Sequence, residues 1–189
     1  MNVDEHNNLV SGYAHDYIQT VGTYAGWNVK YLQCDSFSDC VEKLLAGKVD
    51  LFYDISYTEE RAKMILFPDE PMGVEYYYLY ASDKNTSLAP GDYKSLNGKT
   101  VGITRGTMMA ELLKQWCQKK NVTFHIVEYN DIEDKEAALK AGKVDLDLEV
   151  SMVSKPGFSA IEKIGSSAFY LVANKNRPDL IDDINSATE

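Results

Sequence analysis

The sequence predicts an α/β protein of two lobes joined by two strands. One segment occurs twice, helical and strand-like stretches alternate around each copy, and a long aromatic stretch with no helix attached separates the copies. Residues 44–51, Leu-Leu-Ala-Gly-Lys-Val-Asp-Leu, return at 139–146 as Leu-Lys-Ala-Gly-Lys-Val-Asp-Leu, a constant offset of 95 (142 − 47). Strands alternating with helices imply a parallel sheet with helices on its faces, and two copies imply two such sheets.

Each element has its own signal. Residues 13–25 read as a helix, and Asn28-Val29-Lys30-Tyr31-Leu32 as a strand. A helix follows over 37–46, with Gly47 where a C-cap needs a left-handed residue. Val49-Asp50-Leu51 opens the next strand. Residues 74–81, Val-Glu-Tyr-Tyr-Tyr-Leu-Tyr-Ala, form the long aromatic strand, whose tyrosines alternate sides at period two. Core or hinge packing accounts for most of them, and one side, with Tyr77, is available to stack on a ligand. Then comes a polar, turn-rich linker over 82–98, with Pro90-Gly91 and Asn97-Gly98. The second unit repeats the scheme: a helix over 107–120 with Leu112, Leu113 and Trp116 on one face, a strand over 121–127, and a helix over 131–141 closed by Gly142. A matching strand returns at 168–173, and Pro178 enters a last helix at a first-turn position. Two strands leaving and re-entering the first unit are what a two-strand hinge requires. Lobe 1 is thus residues 1–82 with 167–189, and lobe 2 is 83–166.

Composition narrows the function. At 189 residues and 44% hydrophobic, the chain can bury a proper core. A net charge of −10, from 29 acidic and 19 basic side chains, argues against nucleic acid and anionic lipid as partners. No apolar run approaches the roughly 20 residues of a membrane span. The first residues, Met1-Asn2-Val3-Asp4-Glu5-His6, are too polar for a signal peptide, so the sequence reads as a piece of a larger protein. Three cysteines, Cys34, Cys40 and Cys117, form no C-x-x-C pair, so neither a zinc site nor a redox motif is indicated. A Cys34–Cys40 bridge and idle thiols both stay open. His6, His15 and His125 adjoin no obvious nucleophile, and no catalytic residue, metal or cofactor is expected.

Several stretches together resemble a known family: Gly12-Tyr13-Ala14-His15-Asp16, Gly47-Lys48-Val49-Asp50, Ser56-Tyr57-Thr58-Glu59-Glu60-Arg61-Ala62, and residues 96–107 (Leu-Asn-Gly-Lys-Thr-Val-Gly-Ile-Thr-Arg-Gly-Thr). In this order they resemble the family 3 bacterial extracellular solute-binding proteins. The resemblance implies the periplasmic-binding-protein type II (Venus flytrap) fold, shared with ligand-binding domains of ionotropic glutamate receptors. The family's opening strand is not recognisable before Gly12 and reads as missing, with residues 3–10 supplying something different. The Ser56–Ala62 version, with residues 174–180, is similar to sensory domains of bacterial membrane signalling proteins. That implies an extracytoplasmic place (periplasm or cell surface) and a membrane-anchored parent with a kinase or cyclic-dinucleotide output module. Two alternatives stand beside a sensor: the solute-binding receptor of an ABC amino-acid transporter, and an enzyme on the same fold, a dehydratase or cell-wall lyase.

Arg61 leads the ligand-binding candidates. Thr58 makes a good N-cap, and Glu59 and Glu60 suit the first turn, whereas a cation at Arg61 opposes the helix dipole. A ligand carboxylate would relieve that cost and could be held bidentately. On the residues alone Glu60 is an equal partner; the resemblance implies the ligand carboxylate. Ser56 is implied to hydrogen-bond the ligand beside it. Tyr53 and Asp54 end a strand facing the cleft, with core packing and turn capping as equal alternatives, and Asp54 would suit a ligand ammonium. In lobe 2, Thr104-Arg105-Gly106-Thr107-Met108 joins a strand to a helix start, whose exposed N–H groups make an anion site; the resemblance implies that those of Thr107 and Met108 complete the grip on a carboxylate. No Gly-x-Gly-x-x-Gly or Walker lysine accompanies it, so a nucleotide site is disfavoured. Amino-acid binders of the family carry an acid past the second Gly-x-Val-Asp, and direct counting puts Val150 there. A one-residue slip would bring in Glu149, though Asp147 and Glu149 equally suit a solvated face. The expected ligand is small, amino-acid-like or a simple carboxylate.

Overall fold

In the computed structural model, which describes residues 2–3, 9–151 and 156–189, both copies of the repeated segment close a helix in the same way. Gly47 (φ 68°) and Gly142 (φ 69°) take the left-handed conformation. Beyond them, the Lys48 N–H reaches the Lys43 carbonyl and the Lys143 N–H the Ala138 carbonyl, each at 2.9 Å. These are the bonds of a Schellman ending. Each copy's aspartate then ties the corner to a strand. Asn174 N–H donates to the Asp50 carbonyl at 2.9 Å, and Asp145 N–H donates to the Thr100 carbonyl at 3.0 Å.

The chain divides into two units, Met1–Val74 with Ala168–Glu189, and Glu75–Ser167. Unit 1 begins with an antiparallel pair, β1 (Asn2–Val3) and β2 (Leu9–Ser11). His6 and most of the segment expected to replace an opening strand lie outside the described residues. Helix α1 (Tyr13–Ala25) buries Ala14, Ile18 and Val21 on one face and ends at left-handed Gly26. Helix α2 (Phe37–Leu45) is capped by Ser36, whose hydroxyl accepts from Asp39 N–H. Strand β3 (Leu51–Ser56), the short turn α3 (Glu59–Ala62) and β4 (Ile65–Leu66) follow.

Strand β5 (Gly73–Ser82) passes from unit 1 into unit 2. There the chain runs through a helical turn α4 (Tyr93–Leu96), β6 (Lys99–Thr104), α5 (Met109–Lys120), β7 (Phe124–Tyr129), α6 (Ile132–Lys140) and β8 (Leu146–Val150). Strand β6 pairs in parallel with β7 and β8, with the helices as crossovers, and β5 pairs antiparallel with β8. Alternation sends Val101 and Ile103 of β6 and Leu146 and Leu148 of β8 into one core with Met109, Leu113 and Trp116 of α5. Each such side chain contributes roughly 1.5–3 kcal/mol by leaving water. Strand β9 (Phe158–Asn174) returns to unit 1, pairs antiparallel with β3 and β4, and leads to α7 (Pro178–Thr188).

Four expectations are corrected. Residues 28–32 form no strand: Val29 and Tyr31 pack onto the unit 1 core, but no ladder partner exists among the described residues. For the same reason the described pairings of unit 1 are antiparallel rather than parallel. Two separate sheets are also not observed, because β9 is long enough to continue one ladder order, β3-β9-β5-β8-β6-β7. The strand expected at 121–127 starts at Phe124, since Asn121 (φ 55°) is spent as the left-handed end of α5.

Candidate functional site

In unit 1 the candidates gather at the end of β3. Phe52 faces Val172 and Ile55 faces Tyr170, so Tyr53 and Asp54 together oppose the single residue between them on β9. This is a β-bulge, and Asp54 takes φ 68° to form it, a conformation that L side chains rarely adopt. Asp54 is exposed there, while Tyr53 is half-buried against the core. Burial, then the neighbouring Asp54 carboxylate, pushes the Tyr53 hydroxyl up to about 12. Ser56 is buried and its carbonyl accepts from an Arg61 terminal nitrogen at 2.7 Å. The Arg61 N–H donates to Thr58 Oγ1 at 3.1 Å, and the guanidinium lies 6.0 Å from the centre of the Phe37 ring. Carbonyl, cap and ring thus fix a half-buried guanidinium beside Ser56. This arrangement can hold an anion bidentately.

In unit 2 the turn after β6 carries four candidates. Gly106 (φ 78°) lets the chain turn sharply into α5. Thr107 Oγ1 donates to the Thr104 carbonyl at 2.8 Å and accepts from Met109 N–H at 3.3 Å, capping the helix. The N–H groups of Thr107 and Met108 make no backbone hydrogen bond among the described residues. Thr104 is 7% exposed, and its buried hydroxyl has no hydrogen-bond partner among the described residues. A helix start with open N–H groups and an unsatisfied buried hydroxyl beside it suits an anionic ligand.

Glu149 is enclosed rather than open to solvent. It is 2% exposed, and Lys135 Nζ lies 2.9 Å from Glu149, 3.0 Å from Asp147 and 2.7 Å from the Leu148 carbonyl. The second Glu149 oxygen accepts from Val150 N–H at 2.9 Å. An internal ammonium therefore occupies both acids, and neither forms a solvated face. The β5–β8 register, Tyr78 to Glu149 and Tyr77 to Val150, runs without a slip. Tyr77 is likewise enclosed: it is 3% exposed in the unit 2 core, with its hydroxyl donating to Glu75. The sequence reading missed Lys135 altogether. Its spacing to buried Ala138 and Leu139, three and four residues on, was the available signal of an inward position.

His15 contacts Asp16 at 2.9 Å and stacks on Tyr31, while His125 is exposed on β7. Among the described residues no three His, Cys, Asp or Glu side chains are grouped to hold a metal, and no helix is long and apolar enough to cross a membrane. A groove of about 460 Å³ between α5 and β9 is lined by Trp116, Lys120 and Lys163 among others, and by none of the candidates.

Comparison with known proteins identifies the family and the fold. Residues 1–97 match the family model described as bacterial extracellular solute-binding proteins, family 3. No curated protein matches the sequence. Among solved structures, the arginine-bound form of truncated ArgBP from T. maritima is 24% identical with a TM-score of 0.80, over 98% of this chain and 87% of that one. A putative L-cystine ABC transporter protein from Listeria monocytogenes is 23% identical with a TM-score of 0.78, over 98% and 82%. The GluR0 ligand-binding core from Nostoc punctiforme, in complex with L-glutamate, is 21% identical with a TM-score of 0.73, over 94% and 83%. At these identities the structural likeness establishes the type II periplasmic-binding fold.

Proposed function

Because the chain belongs to the family 3 bacterial extracellular solute-binding proteins, we propose that it is an extracytoplasmic binding domain for an amino-acid-like or small-carboxylate ligand. The observation that carries this reading is Arg61, a half-buried guanidinium oriented by the Ser56 carbonyl rather than left to rotate in solvent. The Thr107 and Met108 N–H groups and the Thr104 hydroxyl supply a second anion-binding element. Each unit thus carries its own element able to hold an anionic group. The structural relatives support the class, since they include proteins described as bound to arginine and to glutamate.

A ligand ammonium, where there is one, does not go to Glu149, which Lys135 already holds. The exposed Asp54 at the bulge is the acid that suits it. Nothing in this chemistry calls for turnover, so the reading is binding rather than catalysis. The role we propose is the ligand sensor of a membrane-anchored signalling protein, on the Ser56–Ala62 stretch and residues 174–180. The likeness to an ABC transporter protein favours delivery to a permease as the second reading. An output module in the full-length gene product means a sensor, and permease genes beside a lipoprotein signal mean transport.

A thermal-shift screen against amino acids, small carboxylates, amines and purines tests the site. At about 100 times its Kd a ligand adds about 2.7 kcal/mol. For a chain of this size that is a rise of roughly 5–10 °C. Arg61→Ala abolishes the rise for the cognate ligand while the unliganded melting point stays near that of the wild type. Undiminished stabilisation in that variant refutes the site.

A further inference from the structure

The segment between α1 and α2 is folded back onto α2 by contacts on both sides of Cys34. On one side the Gln33 carbonyl accepts from Lys43 Nζ at 3.2 Å, and on the other the Asp35 N–H donates to Asp39 Oδ2 at 2.9 Å. Lys43 and Asp39 are themselves paired at 2.6 Å. Cys40 sits between these two anchors on the helix, with its N–H on the Ser36 carbonyl at 3.0 Å. The flanks of Cys34 are therefore pinned to the flanks of Cys40, which brings the two thiols near enough to influence each other. Both are partly exposed. Burial and the contact with Cys34 push the Cys40 thiol up to about 12.

We propose that Cys34 and Cys40 are a redox modification site, closing into an intramolecular disulfide across the N-terminus of α2. The ring spans seven residues, 34–40, in a segment already folded back onto α2. The oxidant is a disulfide, either a small molecule or a thiol–disulfide oxidoreductase. Deprotonated Cys34 attacks one of its sulfurs, forming a mixed disulfide and releasing one thiolate. Charge on Cys34 then no longer holds the proton on Cys40. Cys40 loses it to water, attacks the Cys34 sulfur, and expels the second thiolate. Two protons leave the protein, and two electrons reduce the oxidant to two thiols.

Helix α2, which carries Cys40, meets β3 through Phe37 and Phe52, and Phe52 in turn contacts Tyr53. After burial and Asp54, both cysteines contribute to the upward push on the Tyr53 hydroxyl. Bridging would hold the chain rigid beside Tyr53 and Asp54. Cys117 takes no part: it packs against the core of unit 2.

Purified protein treated with oxidised glutathione, unfolded in acid and alkylated, tests the site. The expected product takes up one alkylating group instead of three, and its tryptic peptide 31–43 is lighter by two hydrogens. In Cys40→Ser the glutathione adduct persists on Cys34. Uptake of three groups by the oxidised wild type, a persistent glutathione adduct on it, or a bridge from either cysteine to Cys117 overturns the proposal.

Discussion

At Lys135 a cation has been taken wholly out of water on the inner face of α6, between two carboxylates of β8. Removing two or three charges from water costs several kcal/mol each, and only close pairing offsets it. The pairing is close, but its partners are mutual: remove the ammonium and Asp147 and Glu149 face each other's charge without compensation. Lys135→Met is therefore expected to lose about 3–5 kcal/mol in urea unfolding. The triple variant Lys135→Met, Asp147→Leu, Glu149→Leu is expected to recover most of that, because it removes the orphaned charges and keeps apolar volume. An equal loss in both variants would trace the cost to packing instead. The same pairing gives these acids a counter-ion from a helix elsewhere in the chain, which strand counting alone does not reveal.

Among the elements, the two glycine-ended helices were legible from composition alone, because a left-handed C-cap is a local demand that only a few residues meet. Gly142 isolates that demand, since a Cβ added there would meet nothing within 4 Å. Gly142→Ala is thus expected to cost about 1–2 kcal/mol from backbone strain. Gly142→Asn should cost less, as asparagine tolerates the left-handed region. Urea midpoints of the two variants check the order, and a reversed order would show that strain is not the cause. Non-local elements were not legible. Residues 28–32 have the residue pattern of a strand and lack only a partner. The first half of β9, through Lys163-Ile164-Gly165-Ser166-Ser167, carries no strand signal and is held by its neighbours. The bulge at Tyr53 and Asp54 depends on the register with β9, so the sequence placed both residues near a site without showing the left-handed Asp54 that turns the strand there. The Thr58 cap before Arg61 was legible because cap, first turn and guanidinium lie within six residues of one another.

At the scale of the whole chain, the two units are built with different dependence on chain order. The core of unit 2 comes from one continuous stretch, whereas unit 1 needs both ends of the chain. Ile184 of α7 completes the cluster formed by Ile18 and Val21 of α1, and Trp27 Nε1 donates to Asp183 at 2.8 Å. Leu180 and Ile184 are buried at 6% and 0% exposure, and losing both forfeits about 3–6 kcal/mol of apolar burial. A domain has only about 5–15 kcal/mol in total, so unit 1 stands close to its limit. Ending the chain at residue 176 is expected to abolish slow amide exchange in α1 and β3. The β6–β8 ladder and α5 should keep theirs, because none of their core partners has been removed. Parallel loss of protection in both units would instead show that the long strands β5 and β9, which belong to both, make the fold cooperate as one body.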